Sequence, residues 1–333
     1  MLIIKVNEKP YSKIFKKIEW SGEIKGTSRI LRVEYLKNKI NLELGDKIEL
    51  YLDETKLFIG KIFDRSTNTG ELTGTLTAYD NSVYLNKNYF IKNYTDELPS
   101  NIVKEICGEL SLDVGKIPVD KVKCTFPMIN RTGYEVILAA YTIQHNKDKK
   151  IYSIVCNEGK IDVVNEDEVL DITLDSGKDI RNSKYSESIK NMINQIIVYK
   201  TENDNPQIID KVASEEDKKK YGLFQKIIQY HDDMNNIFDG REMLKGKEQT
   251  ATITVNGNIK LKSGYTIGIN EPNTGLVGTF LIQYDKHIWT GDTDYETILE
   301  LGFEKAMDKI EFDEVKRKFQ YSVTEGKDTE EVS

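Results

Sequence analysis

Between residues 41 and 80 short apolar runs alternate with turn residues. KIELYLD (47–53) and KLFIGKIF (56–63) are of strand length. ELTGTLTAY (71–79) alternates at period two through Leu72, Gly74, Leu76 and Ala78, with threonines between them. This pattern predicts half-buried strands. Leu44-Gly45-Asp46, Asp53-Glu54-Thr55 and Asn68-Thr69-Gly70 supply the turns. Short antiparallel strands with turns this frequent predict a barrel or a sandwich.

From about residue 96 the period lengthens. After Pro99, the positions Ile102, Val103, Ile106, Cys107 and Leu110 fall on one helical face. A second helix is expected from Thr132, whose hydroxyl and the side chain of Glu135 have capping-box spacing. Its expected apolar stripe is Tyr134, Ile137, Leu138 and Tyr141. Two strands follow, IYSIVCNEG and KIDVVNE, turning at Asn157-Glu158-Gly159. A third block opens with an expected strand over IKNMINQIIVYK (189–200). Ser214 and Asp217, with acids before lysines in EEDKKK, predict a short helix at 215–221. A helix weakened by Gly240 is expected over Asn235–Lys245, then strands from Thr250 to about Phe312. The stretch from Val315 to Ser333 reads as a charged extension.

Two parts of the chain resemble one another. NLELGDKIELYLDETKLFIGKIF (41–63) aligns with IKLKSGYTIGINEPNTGLVGTFLI (259–282), with Gly45 on Gly264, Ile48 on Ile267 and Leu50 on Ile269. With one deletion Gly60 falls on Gly278, Phe58 on Leu276 and Ile62 on Phe280. An alternating strand follows in each, TLTAYD (75–80) and TILELGF (297–303). The expectation is a mainly β chain with α+β insertions: two antiparallel β-barrels around a small mixed α/β domain. The boundaries expected are 1–89 for the N-terminal barrel, 90–182 for the mixed domain and 183–313 for the second barrel. A helical insertion is placed at about 212–248, and the charged extension at 314–333.

Composition narrows the function classes. The 333 residues suggest two or three domains on a rule of ~150 residues each. A net charge of −8 argues against sequence-specific nucleic-acid binding, which needs a basic face. The longest apolar run, Val136–Tyr141, is far short of the ~20 residues that cross a bilayer, so no membrane partner is expected, and synthesis is expected in the cytoplasm. Cys107, Cys124 and Cys156 are odd in number and lack a CxxC pair, which fits a reducing compartment.

Candidate chemistry is sparse. His145, His231 and His287 lie in three separate blocks and form no ligand pair, so no metal is expected. His231-Asp232-Asp233 and Glu166-Asp167-Glu168 read as solvated polar stretches. Phosphate-binding loops and nucleophile elbows are absent from the sequence, and no catalytic residue or cofactor is expected. A hydrolase would need His287 or His231 beside Cys or Asp in a cleft. TGDTDYETI (290–298) carries a turn like that of LysM wall-binding repeats, without their preceding strand. His287 is expected just past a strand, before a hairpin at Thr290-Gly291-Asp292, as a surface or hydrogen-bonded structural residue.

The ordered motifs LGDxIxLYxD…LFxGKI (44–62), AYDxxxYLxKN (78–88), IKNMINQIIVYK, KKYGLFQKII (219–228) and GxIxLxSGYxI…GxFxIxxxxHxW (257–289) resemble the XkdQ-type tail proteins of phages and phage-derived contractile particles. They are relatives of the contractile-phage baseplate hub. The resemblance implies tube-type barrels and a homotrimer whose six barrels join a sixfold tail tube to a threefold spike. It implies contacts with tail tube protein, central spike protein, other baseplate proteins and a passing tape-measure protein, in a virion or phage-like tail. The resemblance implies a structural role for His287, and the internal repeat makes Gly45, Gly60, Gly264 and Gly278 the other structural candidates. The alternative is a cell-wall or carbohydrate-binding module of such a particle.

Overall fold

A computed structural model describes residues 1–26, 28–165, 169–202, 205–230, 243–291 and 294–303. The first strand block contains β1 (Leu2–Val6), β2 (Lys9–Tyr11), β3 (Phe15–Glu23), β4 (Ile30–Leu36), β5 (Lys47–Leu52), β6 (Thr55–Thr67) and β7 (Thr73–Asp80). Alternation sorts their side chains: Leu31, Val33 and Tyr35 on β4, and Leu76 and Ala78 on β7, point into one core with Trp20, Ile48, Leu50 and Phe58.

The mixed segment follows, with α1 (Val83–Lys87), β8 (Tyr89–Glu97), α2 (Pro99–Glu109), β9 (Cys124–Thr132), α3 (Gly133–Asp148), β10 (Tyr152–Asn157) and β11 (Lys160–Asn165). On α2 the expected face is buried at Ile102, Val103, Ile106 and Cys107. On α3 both halves of the Thr132–Glu135 capping box form. The narrow stripe expected for α3 is not what is seen. Val136 through Thr142 are all buried, because α2, β9 and β10 pack around it. Glu158 and Gly159, both at positive φ, make the two-residue turn between β10 and β11.

The remaining elements are β12 (Val169–Asp175), β13 (Ile180–Ser188), β14 (Gln195–Glu202), β15 (Asn205–Ala213), α4 (Glu215–Tyr221), β16 (Gln225–Gln229), β17 (Glu248–Asn256), β18 (Thr266–Glu271), β19 (Leu276–Thr290) and β20 (Asp294–Gly302). Ser214 caps α4 by accepting from the Asp217 amide. The strand expected at 189 starts at Gln195, after a turn at Ile189–Met192. Of the helix expected at 235–245, and of the 314–333 extension, only residues 243–245 lie among the described residues.

The long sheet runs β13-β17-β20-β19-β3-β4-β7-β6-β5-β1-β2, with β18 on β19 and β12 on β18. Its two ends repeat one plan. β6 lies between β5 and β7, and β7 leads to β4 and then β3. In the same way β19 lies between β18 and β20, and β20 leads to β17 and then β13. The bulges also agree, falling after Ile62 in the β6–β7 pairing and after Ile282 in the β19–β20 pairing. One difference is the outer neighbour: β1 is antiparallel to β5, whereas β12 is parallel to β18.

No ring of pairings closes among the described residues. Instead β3 pairs with β19 from Lys17↔Thr290 to Glu23↔Tyr284, joining the two blocks edge to edge. The compact units therefore cut the chain differently from the expected blocks. One holds the described residues of Met1–Lys184 and Ala251–Glu311, the other those of Tyr185–Thr250. In the smaller unit β14 is central, antiparallel to β15 and parallel to β16.

Candidate functional site

The β3–β19 seam contains a group of buried polar residues that includes Ser21, Arg29, Asp285, His287 and Thr297. Along β19, Asp285, His287 and Trp289 alternate inward while Tyr284, Lys286 and Ile288 are half-buried. Asp285 and His287 are fully buried. Such a charge persists in a core only when it is paired and hydrogen-bonded. Arg29, from the segment before β4, supplies the pairing. Its Nη1 donates to Asp285 Oδ1 at 3.0 Å and its Nη2 to Oδ2, while its guanidinium lies 4.0 Å over the Trp20 ring. The Ser263 amide adds a bond to Oδ1 at 2.6 Å. Burial opposes ionisation of Asp285, yet Arg29 and His287 hold its carboxyl well below the usual range.

His287 is inside β19, not past its end as the alternation of apolar residues suggested. Its Nε2 faces the Leu261 carbonyl at 3.1 Å and Asp285 Oδ2 at 3.2 Å, both acceptors, so that nitrogen carries the proton and donates. Nδ1 faces the hydroxyls of Tyr295 at 2.9 Å and Thr297 at 3.2 Å. Burial, with Arg29 nearby, pushes the imidazole pKa down and favours the neutral ring. The ring sits 4.8 Å from that of Trp20. Every polar atom of the imidazole is engaged within the seam.

A second buried carboxylate closes the other side of Arg29. Asp80, at the end of β7, accepts from the Arg29 amide at 3.0 Å, the Ser82 amide at 3.0 Å and the Ser82 hydroxyl. Burial raises its pKa to about 6. Arg29 thus ties β7 of the first block to β19 of the second.

The glycine candidates make none of these side-chain bonds, although Gly60 pairs with Asp80 across β6 and β7 and Gly264 follows Ser263. Gly45 and Gly264 occupy matching turns: φ is +88° and +92°, and their amides donate to Ile62 O and Ile282 O. The return bonds, Ile62 to Asp46 O and Ile282 to Tyr265 O, also match. Gly60 and Gly278 do not match. Gly60 faces Ile48, whereas the Ile48 counterpart, Ile267, faces Phe280; Gly278 lies two residues earlier, facing Ile269. One insertion before the strand, rather than the deletion expected, restores the register. Gly60 is crowded, since a Cβ there would lie 2.1 Å from Tyr79 O, whereas Gly278 has open space and a φ of +138°.

Among the residues weighed for chemistry, Cys107, Cys124 and Cys156 are buried and unpaired with one another, and burial lifts the first two thiols to about 11. His231, Asp232, Asp233 and Glu166–Glu168 lie outside the described residues. Among the described residues no cluster of metal ligands occurs and no helix is long and apolar enough to cross a membrane. Arg29, Asp80, Asp285, Tyr295 and Thr297 were not legible as site residues. The available signal was the alternation of Asp285, His287 and Trp289 in one strand.

The comparisons with known proteins agree with this architecture. The model of the YqbQ-like family matches residues 18–301. The chain belongs to the YqbQ-like family. Within that family it is 24% identical over 282 residues to the uncharacterized protein YqbQ of Bacillus subtilis (strain 168), covering 82% of this chain and 86% of that one. It is 23% identical over 264 residues to XkdQ of the phage-like element PBSX of the same organism, covering 76% and 80%. Its fold is similar to the 43 kDa tail protein of prophage MuSo2 from Shewanella oneidensis, with a TM-score of 0.69 and 13% identity over 93% and 99% of the two chains.

Proposed function

We propose that this YqbQ-like chain is a structural hub of a phage-type tail baseplate. Three copies, each with two related tube-type β-barrels, form a pseudo-sixfold ring that joins a sixfold tail tube to a threefold spike. The observation that carries this reading is the duplicated strand plan, with its shared register, bulge and turn bonds. Two similar blocks per chain let three chains present six quasi-equivalent surfaces on one side while keeping threefold symmetry. The setting is supported by the phage-like element that carries XkdQ and by the prophage tail protein of like fold.

On this reading the seam acts mechanically. A bidentate ion pair and a neutral imidazole hold the two blocks at a set angle, and the partners are tail tube, spike and other baseplate proteins. The lumen, past which DNA or a tape-measure protein moves, is neutral or acidic, in keeping with a net charge of −8. The deciding measurement is the mass and symmetry of the purified chain, alone and mixed with its cognate spike and tube proteins. A three-chain ring by native mass and electron microscopy is expected in at least the mixture. A chain that stays monomeric in both, or rings of another order, would sink the proposal.

A further inference from the structure

A second polar cluster lies where β10 and β11 meet the turn before β18, and the tail reading makes no use of it. Asn157 ends β10, and its side-chain amide is held from both sides. Oδ1 accepts from Lys262 Nζ at 2.6 Å. Nδ2 donates to Asp162 Oδ2 at 2.8 Å and faces the Tyr265 hydroxyl at 3.3 Å. An amine, an amide and a carboxyl group are thus in direct sequence.

Each group is fixed. Asp162 is buried, and its Oδ1 accepts from the Lys116 amide at 2.8 Å. Gly115 packs against it so closely that a Cβ would fall 1.9 Å from that oxygen. Lys262 Nζ makes no ion pair among the described residues, although its ammonium lies within an electrostatic group that includes Arg29, Asp285, Asp162 and Glu158. Burial first, and then the Arg29 charge, lower its pKa to about 8. On the order of one molecule in ten then carries a neutral, nucleophilic amine at pH 7. Beside it, lined by Asn157, Lys262, Ser263 and Tyr265, is a cavity of about 10 Å³, roughly the room one water needs.

We propose that Lys262 and Asn157 join in a self-formed isopeptide bond, with Asp162 as the proton carrier. The ammonium first gives up one proton to solvent. The Nζ lone pair then forms a bond to Asn157 Cγ, and the carbonyl π pair moves onto Oδ1. A further Nζ proton passes through Asp162 to Nδ2. The Cγ–Nδ2 bond breaks, ammonia leaves with that electron pair, and the carbonyl re-forms. One C–N bond replaces another and no redox partner is needed. Proximity supplies the drive, since the reacting groups are already held in contact, and the leaving ammonia is the size of the adjoining cavity.

The bond would clip the β10–β11 hairpin to the second strand block, across 105 residues of chain. The test is intact-mass measurement and peptide mapping of the purified full chain, fresh and after incubation near pH 8. The expected result is a chain lighter by one ammonia, with a branched peptide joining Lys262 to Asn157. Lys262→Arg and Asn157→Ala should restore the full mass. Asp162→Asn, checked for folding by circular dichroism, should slow the cross-link at least tenfold. A chain that keeps its full mass after incubation overturns the proposal. So does an ammonia loss confined to a linear peptide, as a succinimide would give.

Discussion

The seam stands or falls on single residues. Arg29→Ala leaves the fully buried Asp285 without its cation. The expected cost is about 3–5 kcal/mol, read by denaturant unfolding. Arg29→Lys should recover only part of that, because an ammonium lacks the planar two-nitrogen fork that meets both carboxylate oxygens in parallel. Asp80 gives a pH test with a definite sign. Its folded pKa of about 6 lies above the ordinary 3.8, so its contribution is fully present below 3.8 and is lost as pH rises through 6. His287 acts oppositely: its lowered pKa gives stability that is present above its ordinary 6.5 and lost as pH falls. Comparing wild type with Asp80→Asn separates the two. Between pH 7 and 5 the stability difference should move by about 1 kcal/mol in favour of the wild type. A pH-independent difference would mean that Asp80 stays ionised throughout.

At the scale of elements, local chemistry is where sequence and structure agree most closely. The Thr132–Glu135 box, the Ser214 cap and the face of α2 rest on contacts within a few residues, so spacing alone reveals them. Thr132→Ala should cost about 1 kcal/mol in thermal unfolding. The repeat was legible through Gly45 and Gly264, since both turns need a left-handed residue. Alanine at either should cost about 1–2 kcal/mol. Gly264→Ala should be the worse of the two, because Val155 Cγ1 would lie 3.3 Å from the new Cβ. Gly60→Ala should exceed both through its collision with Tyr79 O. Equal costs at all three would show that the Val155 and Tyr79 contacts do not set the ranking. The Gly60–Gly278 match failed because glycine identity outweighed strand register. The seam was hidden for a different reason: Arg29 is 256 residues from Asp285, and no local pattern announces such a partner.

For the whole molecule, the notable feature is that the two repeats share an edge. Trp289 and Tyr295 from the second block pack into the core of the first, so the hydrophobic interior is continuous across β3 and β19. Trp20→Ala removes the ring that supports both Arg29 and His287, and should cost about 3–5 kcal/mol. Loss of assembly, measured by native mass, should accompany that destabilisation if the seam sets the angle between the blocks. The β3–β19 pairing also governs how the protein is born. While the ribosome is still making residues 24–283, the outer edge of β3 has no strand beside it, and its backbone groups are open to any other chain. The closing contact pairs residues 17–23 with 284–290, a long sequence separation that makes it slow in loop-closure terms. A chain made only as far as residue 283 is therefore expected to offer an open strand edge to aggregation until β19 docks.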